Sequence, residues 1–200
     1  QKANQCGAKV ITIGDENGYV YDPDGIKDEK LDFLMDLWVV HRRPAKDLAD
    51  KFGLQWVSGK RPWEVACDIA VPTATQNELD LENAKQLLSN GCTCVAEAAN
   101  MPCTAEAVNL FLEKQILFGP AKAVNAGGVA TSALEMTQNS MRYSWTFEEV
   151  DTKLKSIMGN IYRNASQAAQ DYGLEGNLVA GANIAGFLKV AQAMLAQGVV

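Results

Sequence analysis

Two adjacent carboxylates, Asp15 and Glu16, follow an apolar run over residues 8–14. β-Branched residues fill that run and predict a buried strand, and Asn17-Gly18 predicts a turn after it. An acid at the end of such a strand can accept hydrogen bonds from ribose hydroxyls, as in dinucleotide-binding folds. A solvated turn is the alternative interpretation of the same pair.

Three further polar segments each follow a predicted strand: PTATQNE at 72–78, AEAANMP at 96–102 and KAVNAGG at 122–128. In open α/β sheets, ligands bind beyond the carboxyl ends of the strands. We therefore expect these segments and the acidic pair to meet at one edge of one sheet and form a cleft. Taken singly, each segment is also compatible with an ordinary turn.

The elements around these segments predict an α/β fold, because short apolar strands alternate with amphipathic helices. We interpret the DENGYVYDPDG stretch as turns, and no strand is predicted after residue 125. The predicted strands are 8–14, 54–58, 67–73, 92–97 and 116–119; the predicted helices are 1–6, 27–38, 44–52, 80–89, 104–114, 127–143, 146–172 and 182–197.

Composition excludes several classes of partner. A net charge of -6 argues against a nucleic-acid surface, and we find no apolar run near the ~20 residues of a membrane span. The five cysteines are an odd number without framework spacing, which favours a reduced, cytoplasmic chain. Cys92 and Cys94 fit a packed strand better than a zinc site, so no metal is predicted.

A stripe of methionine and aromatic residues follows in the helical region. We interpret it as core packing; its members are Met136, Met141 and Trp145.

Four segments together resemble the coenzyme domain of the hexameric glutamate dehydrogenases. They are ATQNEL (74–79), AEAANMP (96–102), GPAKAVNAGGVATSALEM (119–136) and GANIAGFLKVAQAMLAQGVV (181–200), and the similarity covers essentially the whole chain in order. The resemblance implies a modified Rossmann domain with a mostly parallel sheet, one strand of which is reversed, followed by a C-terminal helical extension. Ala98 stands where the family usually has glycine, and Thr73 where cysteine is common.

The resemblance also implies roles for individual residues. Neutral polar loop residues are expected beside the nicotinamide end of the cofactor, and Ser132 is expected to bind the γ-carboxylate of the substrate. The implied cofactor-binding residues are Asp15, Glu16, Ala74, Thr75, Gln76, Asn100 and Asn125, and the implied substrate-binding residues are Val129 and Ser132.

The implied activity is the reversible oxidative deamination of L-glutamate to 2-oxoglutarate and ammonia, with hydride transfer to NAD or NADP. We expect NAD to be preferred, since Glu16 repels a 2′-phosphate and Trp38 stands where NADP-using relatives tend to carry lysine. Arg42 and Arg43 lie nearby and favour NADP as the alternative. The rival functions are a non-catalytic nucleotide-binding fragment and an amino-acid dehydrogenase that acts on another side chain.

We expect residues 1–125 to form a partial Rossmann domain that lacks its first strand and glycine-rich turn. Residues 126–200 are expected to complete that domain and to pack toward an absent N-terminal substrate domain. The resemblance places the catalytic lysines and aspartate in that absent domain and implies a homo-hexamer. No catalytic residue is therefore assigned here, and the isolated chain is expected to be inactive.

Overall fold

The computed structural model describes residues 1–198, in two compact units, of which the first is Gln1–Val65 and the second begins at Ala66. The predicted functional division at residue 125 stays a prediction. The strands are β1 (Thr12–Asp15), β2 (Gly18–Tyr21), β3 (Gln55–Ser58), β4 (Ile69–Ala70), β5 (Cys94–Ala96) and β6 (Leu117–Gly119). The α-helices are α1 (Lys2–Gln5), α2 (Asp28–Met35), α3 (Lys46–Phe52), α4 (Leu81–Ser89), α5 (Ala105–Glu113), α6 (Ala121–Val124), α7 (Ala126–Met141), α8 (Phe147–Asp171) and α9 (Leu178–Gln197).

The first unit contains an antiparallel sheet in the order β1-β2-β3. β1 and β2 form a hairpin in which Asp15 pairs with Gly18, so Glu16 and Asn17 form its two-residue loop. Gly18 is confined by the neighbouring strand, because a Cβ there would lie 2.2 Å from the Val57 carbonyl oxygen. The sheet packs on α2 and α3 around a buried apolar cluster of Val20, Ile26, Leu34, Ala45, Leu48 and Ala49.

β2 is absent from the sequence-based strand assignment, which interpreted this stretch as turns. Tyr19 and Val20 have high strand propensity, but turn signals on both sides leave only four residues for the strand. Tyr19 is buried, and its hydroxyl donates a hydrogen bond to Glu64 at 3.0 Å. Burial and this carboxylate raise the pKa of Tyr19 to about 12.

The second unit contains the predicted parallel sheet, in the order β4-β5-β6. α4 and α5 connect its strands, and both begin at a side-chain cap, Asp80 and Thr104 respectively. Phe111 on α5 stacks on Phe118 of β6 with ring centroids 5.7 Å apart. The α/β class and the parallel sheet are thus confirmed, whereas the first three strands form a separate antiparallel sheet.

Helices α6 to α9 follow the parallel sheet; the sequence predicts α7, α8 and α9 but not the short α6. α8 and α9 pack closely because Gly181 is buried between them: a Cβ there would lie 2.0 Å from the Ala165 carbonyl oxygen. Lys122 near α9 donates a hydrogen bond to the Asn183 side chain at 2.6 Å. The last two residues of the 181–200 segment lie outside the described residues.

Two sequence-based interpretations of this helical region are wrong. α9 is long and apolar enough, by length and composition, to cross a membrane, contrary to the sequence-based expectation of no such run. One such helix is weak evidence for a membrane span, since helices that pack against protein can pass the same test. Met136 and Met141 are 71% and 57% exposed, so they do not pack in the core of this chain.

Candidate functional site

The polar segments that follow β4 and β5 are joined by backbone hydrogen bonds. The Asn77 amide donates to the Met101 carbonyl, and the Leu79 amide donates to the Pro102 carbonyl, both at 3.0 Å. Near the strands, the Ala98 amide donates to the Pro72 carbonyl at 3.0 Å. The two segments are therefore fixed to one another along their length, as expected for loops at one sheet edge.

Glu97 joins the segment after β5 to the segment after β6. Its side chain is buried, with Oε1 accepting from the Cys103 amide at 3.2 Å and Oε2 accepting from the Ala121 amide at 2.8 Å. The Cys103 thiol is buried beside this carboxylate, and both burial and the neighbouring charge raise its pKa. Since charge-assisted hydrogen bonds are among the stronger ones, Glu97 is well placed to hold both segments in position.

Glu78 fixes the shape of the segment after β4. It is buried, and its Oε1 accepts a hydrogen bond from the Ala74 amide at 2.8 Å. The sequence-based site did not include Glu78 or Glu97. Each is the sole acid of its polar segment. A single acid between apolar elements is the sequence feature that could have identified these two residues.

Asn100 and Asn125, which are far apart in sequence, are in direct contact. The Asn125 side-chain amide donates to Asn100 Oδ1 at 2.7 Å and to the Ala99 carbonyl at 3.2 Å. A side-chain amide has two donors and an acceptor oxygen, so this pairing leaves hydrogen-bonding capacity for a ligand. Ala74, Thr75 and Gln76 are exposed in the segment hydrogen-bonded to that of Asn100.

Val129 and Ser132 lie on the first turns of α7. Both are exposed, Val129 to 71%, and Gly128 beside them presents open space. Ser132 Oγ donates to the Gly128 carbonyl at 3.4 Å, a long bond within its own helix. Asn125 immediately precedes α7, so the amide pair and the exposed face of this helix belong to one continuous segment.

The acidic pair belongs to the first unit and not to the parallel sheet, contrary to the expectation of one shared sheet edge. Both Asp15 oxygens accept backbone hydrogen bonds: Oδ1 from Asn17 at 2.8 Å and Oδ2 from Ala45 at 2.7 Å. Asp15 thus holds the hairpin loop against the start of α3. Glu16 is exposed at the tip of that loop, so it is the better placed of the two to contact a ligand.

The residues that the sequence associates with cofactor choice besides Glu16 lie after α2. Trp38 lies on a π-helical turn, Asp36–Val40, that continues α2, and it is 36% exposed. Arg43 forms an ion pair with Asp47, four residues later. Arg42 is exposed with a positive φ of 50°.

A family model for glutamate/leucine/phenylalanine/valine dehydrogenase matches residues 1–198. The chain belongs to this dehydrogenase family. Within it, the chain is 53% identical over 204 residues to a glutamate dehydrogenase of Bacteroides thetaiotaomicron, covering 100% of the chain and 45% of that protein. It is 56% identical over 200 residues to an NADP-specific glutamate dehydrogenase of Haemophilus influenzae, covering 100% of the chain and 44% of that protein.

The chain is also 52% identical over 204 residues to an NAD-specific glutamate dehydrogenase of Bacteroides fragilis, and the match covers 100% of the chain and 45% of that protein. The solved structure of Plasmodium falciparum glutamate dehydrogenase superposes with a TM-score of 0.97 at 47% identity. That match covers 100% of the chain and 43% of the solved one. The chain thus spans about half the length of the relatives that it matches.

Proposed function

We propose that the full-length protein is a glutamate dehydrogenase and that this chain supplies the cofactor site and part of the substrate site. The reaction would remove a hydride from the α-carbon of L-glutamate and, with water, yield 2-oxoglutarate and ammonia. The contact between Asn100 and Asn125, in segments held together by Glu97, carries the proposal. The glutamate dehydrogenase relatives, at 47–56% identity, support the substrate.

The donor set fits a nicotinamide cofactor, which when bound would accept the hydride. Asn100 and Asn125 offer neutral amide groups that can hydrogen-bond a carboxamide without placing a charge beside the hydride path. Thr75 and Gln76 add exposed polar side chains on the adjoining segment. We propose that these residues, with Ala74, hold the nicotinamide end.

NAD is the proposed cofactor and NADP the alternative. The relatives include NAD-specific and NADP-specific enzymes at similar identity, so their names do not decide between the two. Because backbone amides already bind both oxygens of Asp15, we propose that Glu16 selects against the 2′-phosphate. Trp38 supports NAD, since it carries no charge for a phosphate, and Arg42 is the residue that favours NADP.

Ser132 is the proposed ligand of the glutamate side chain, with Val129 beside it. Ser132→Ala in the full-length protein should raise the KM for glutamate more than that for the cofactor. Losing one hydrogen bond to a charged group costs about 1.5–3 kcal/mol, or roughly 10- to 150-fold in binding. Ser140→Ala, an exposed serine farther along α7, is the matched control and should leave the KM unchanged. An unchanged KM in Ser132→Ala removes Ser132 from the site.

The proposed reaction is tested by turnover with the purified full-length protein. Reduction of NAD should depend on L-glutamate, and the kcat/KM for glutamate should exceed that for leucine, phenylalanine and valine. A higher efficiency with one of those apolar amino acids would assign the protein to another branch of the family. Turnover of none of them would favour a non-catalytic nucleotide-binding role.

We also propose a homo-hexamer located in the cytoplasm. The resemblance to the hexameric glutamate dehydrogenases supports the assembly, and the free cysteines support a reducing compartment. Light scattering coupled to size-exclusion chromatography of the full-length protein should give six times the mass of one chain. A monomeric or dimeric mass would contradict the assembly.

A further inference from the structure

Cys67 and Cys92 face each other just before two neighbouring parallel strands. Ile69 of β4 pairs with Cys94 of β5, and stepping back two residues on each strand brings Cys67 opposite Cys92. The amides of Thr93 and Cys94 both donate to the Asp68 carbonyl, at 3.0 and 3.2 Å, so the two segments stay paired beyond the strands. Neighbouring strands lie about 4.8 Å apart, which is within the Cα separation that a disulfide spans.

The Cys92 sulfur is fixed at this position by its surroundings. Cys92 is 4% exposed, and its Sγ lies 3.3 Å from the Cys94 carbonyl oxygen and 3.7 Å from the Asp68 carbonyl oxygen. Cys67 is half-buried and precedes Asp68, whose carbonyl oxygen lies beside the Cys92 sulfur. The strand register thus places the two cysteines at opposite positions, and Cys67 is the more exposed of the two.

The electrostatics of the pair favour a thiolate on Cys92. Hydrogen bonding with Cys67 lowers the pKa of Cys92 to about 6, with help from the backbone of Cys94 and Ala70, whereas burial and the charge of Asp68 act in the opposite direction. The same hydrogen bond and burial raise the pKa of Cys67. A cysteine of lowered pKa beside a second cysteine is the arrangement that favours oxidation to a disulfide.

We propose that Cys67 and Cys92 are an oxidisable dithiol that closes to a disulfide before β4 and β5, with hydrogen peroxide as oxidant. The Cys92 sulfur attacks one peroxide oxygen, the O–O bond breaks, and a hydroxide leaves and is protonated to water. Cys67 then attacks the resulting sulfenic sulfur, forming the S–S bond and breaking the S–O bond. The second hydroxide takes the Cys67 proton, so two thiols lose two electrons and one peroxide becomes two waters.

The other cysteines provide internal comparisons. Cys94 is the first residue of β5, two residues after Cys92, and burial raises its pKa, so it is a poorer nucleophile than Cys92. Cys103 is buried beside Glu97, which disfavours its thiolate. Cys6 is exposed in the first unit, where it can form crosslinks between molecules. Cys6→Ser is therefore the background for the test.

The experiment treats the full-length protein with hydrogen peroxide, blocks remaining thiols by alkylation, and maps peptides by mass spectrometry. We expect a peptide pair joined through Cys67 and Cys92, lost after dithiothreitol, in the wild type and in Cys94→Ser. Cys67→Ser should give no crosslink and should leave a sulfenic acid on Cys92 that dimedone traps. A crosslink through Cys94 or Cys103 instead, or full alkylation of Cys67 and Cys92, would overturn the proposal.

A second measurement needs no substitution of the pair. Phenylarsine oxide carries a trivalent arsenic that bridges two adjacent thiols, so it should protect Cys67 and Cys92 together from alkylation in the unoxidised protein. Protection of both cysteines from alkylation supports their assignment as a pair of adjacent thiols. Alkylation of both in the presence of the arsenical shows that the sulfurs are not within bridging distance and contradicts it.

Discussion

Replacing Glu97 by glutamine should loosen the candidate site without removing any of its ligand-facing residues. Glutamine has nearly the same shape, but it presents one oxygen and one NH2 group to two backbone donors. If the oxygen keeps the shorter bond, from Ala121, the NH2 group then faces the Cys103 amide, and that buried donor loses its partner. The segment after β5 is thereby released from its carboxylate anchor.

The structure sets the size of this effect. Glu97 is only 5% exposed, so solvent cannot replace the lost hydrogen bond cheaply. A hydrogen bond to a charged acceptor contributes about 1.5–3 kcal/mol, which corresponds to roughly 10- to 150-fold in a local opening equilibrium. The backbone amide of Cys103 should exchange its hydrogen faster by that factor.

Hydrogen–deuterium exchange of the full-length protein, followed on peptides that span residues 97–105, measures this opening. The matched control is Glu113→Gln, which makes the same chemical change at an exposed position on α5. A Glu97→Gln protein whose Cys103 peptide exchanges no faster than the control would refute the view that this carboxylate holds the segments. The Kd for NADH should rise in Glu97→Gln and not in the control.

Three further predictions concern packing, cofactor choice and pH. Gly181→Ala should lower the Tm, since its Cβ would meet a backbone oxygen of α8 at 2.0 Å. Gly186→Ala has open space around it and should instead raise the free energy of unfolding by about 0.5–1 kcal/mol. Equal Tm values for the two variants would contradict the close packing of α8 and α9. Glu16→Ser combined with Trp38→Lys should move the ratio of kcat/KM values from NAD toward NADP, and an unchanged ratio would show that these residues do not select the cofactor. Burial raises the pKa of Tyr19 from 10.0 to about 12, so the stability that the protonated tyrosine contributes should be present below pH 10 and lost between pH 10 and 12. In urea melts between pH 10 and 12, the free energy of unfolding should fall more steeply with pH in the wild type than in Tyr19→Phe.

Sequence patterns located the parallel sheet and its helices well, because β4, β5 and β6 each combine an apolar strand with a clear connecting helix. They failed at β2, where four strand residues stand between two strong turn signals. They also failed for the partners of Asp15, since the Ala45 amide is thirty residues away and no local pattern encodes that contact. A long-range hydrogen bond appears only once the chain is folded.

In the candidate site, too, the sequence identified residues within motifs but not their long-range partners. Motifs in the sequence selected Asn100 and Asn125, and the structure brings these two into contact. Glu97 lies inside one of the motifs, but its role depends on two backbone amides contributed by different segments. Asp15, chosen as a ribose ligand, has both oxygens engaged by backbone amides, which leaves Glu16 as the exposed acid of the pair.

Direct titration of NADH into the full-length protein tests most plainly whether the joined segments form a cofactor site. Asn125→Ala is titrated alongside, with Asn109→Ala, an exposed residue of α5, as the control. We predict saturable binding by the wild type and the control, and a Kd about 10-fold higher for Asn125→Ala, as expected for the loss of one to two hydrogen bonds. Absence of saturable binding by the wild type, or an unchanged Kd in Asn125→Ala, would contradict the assignment.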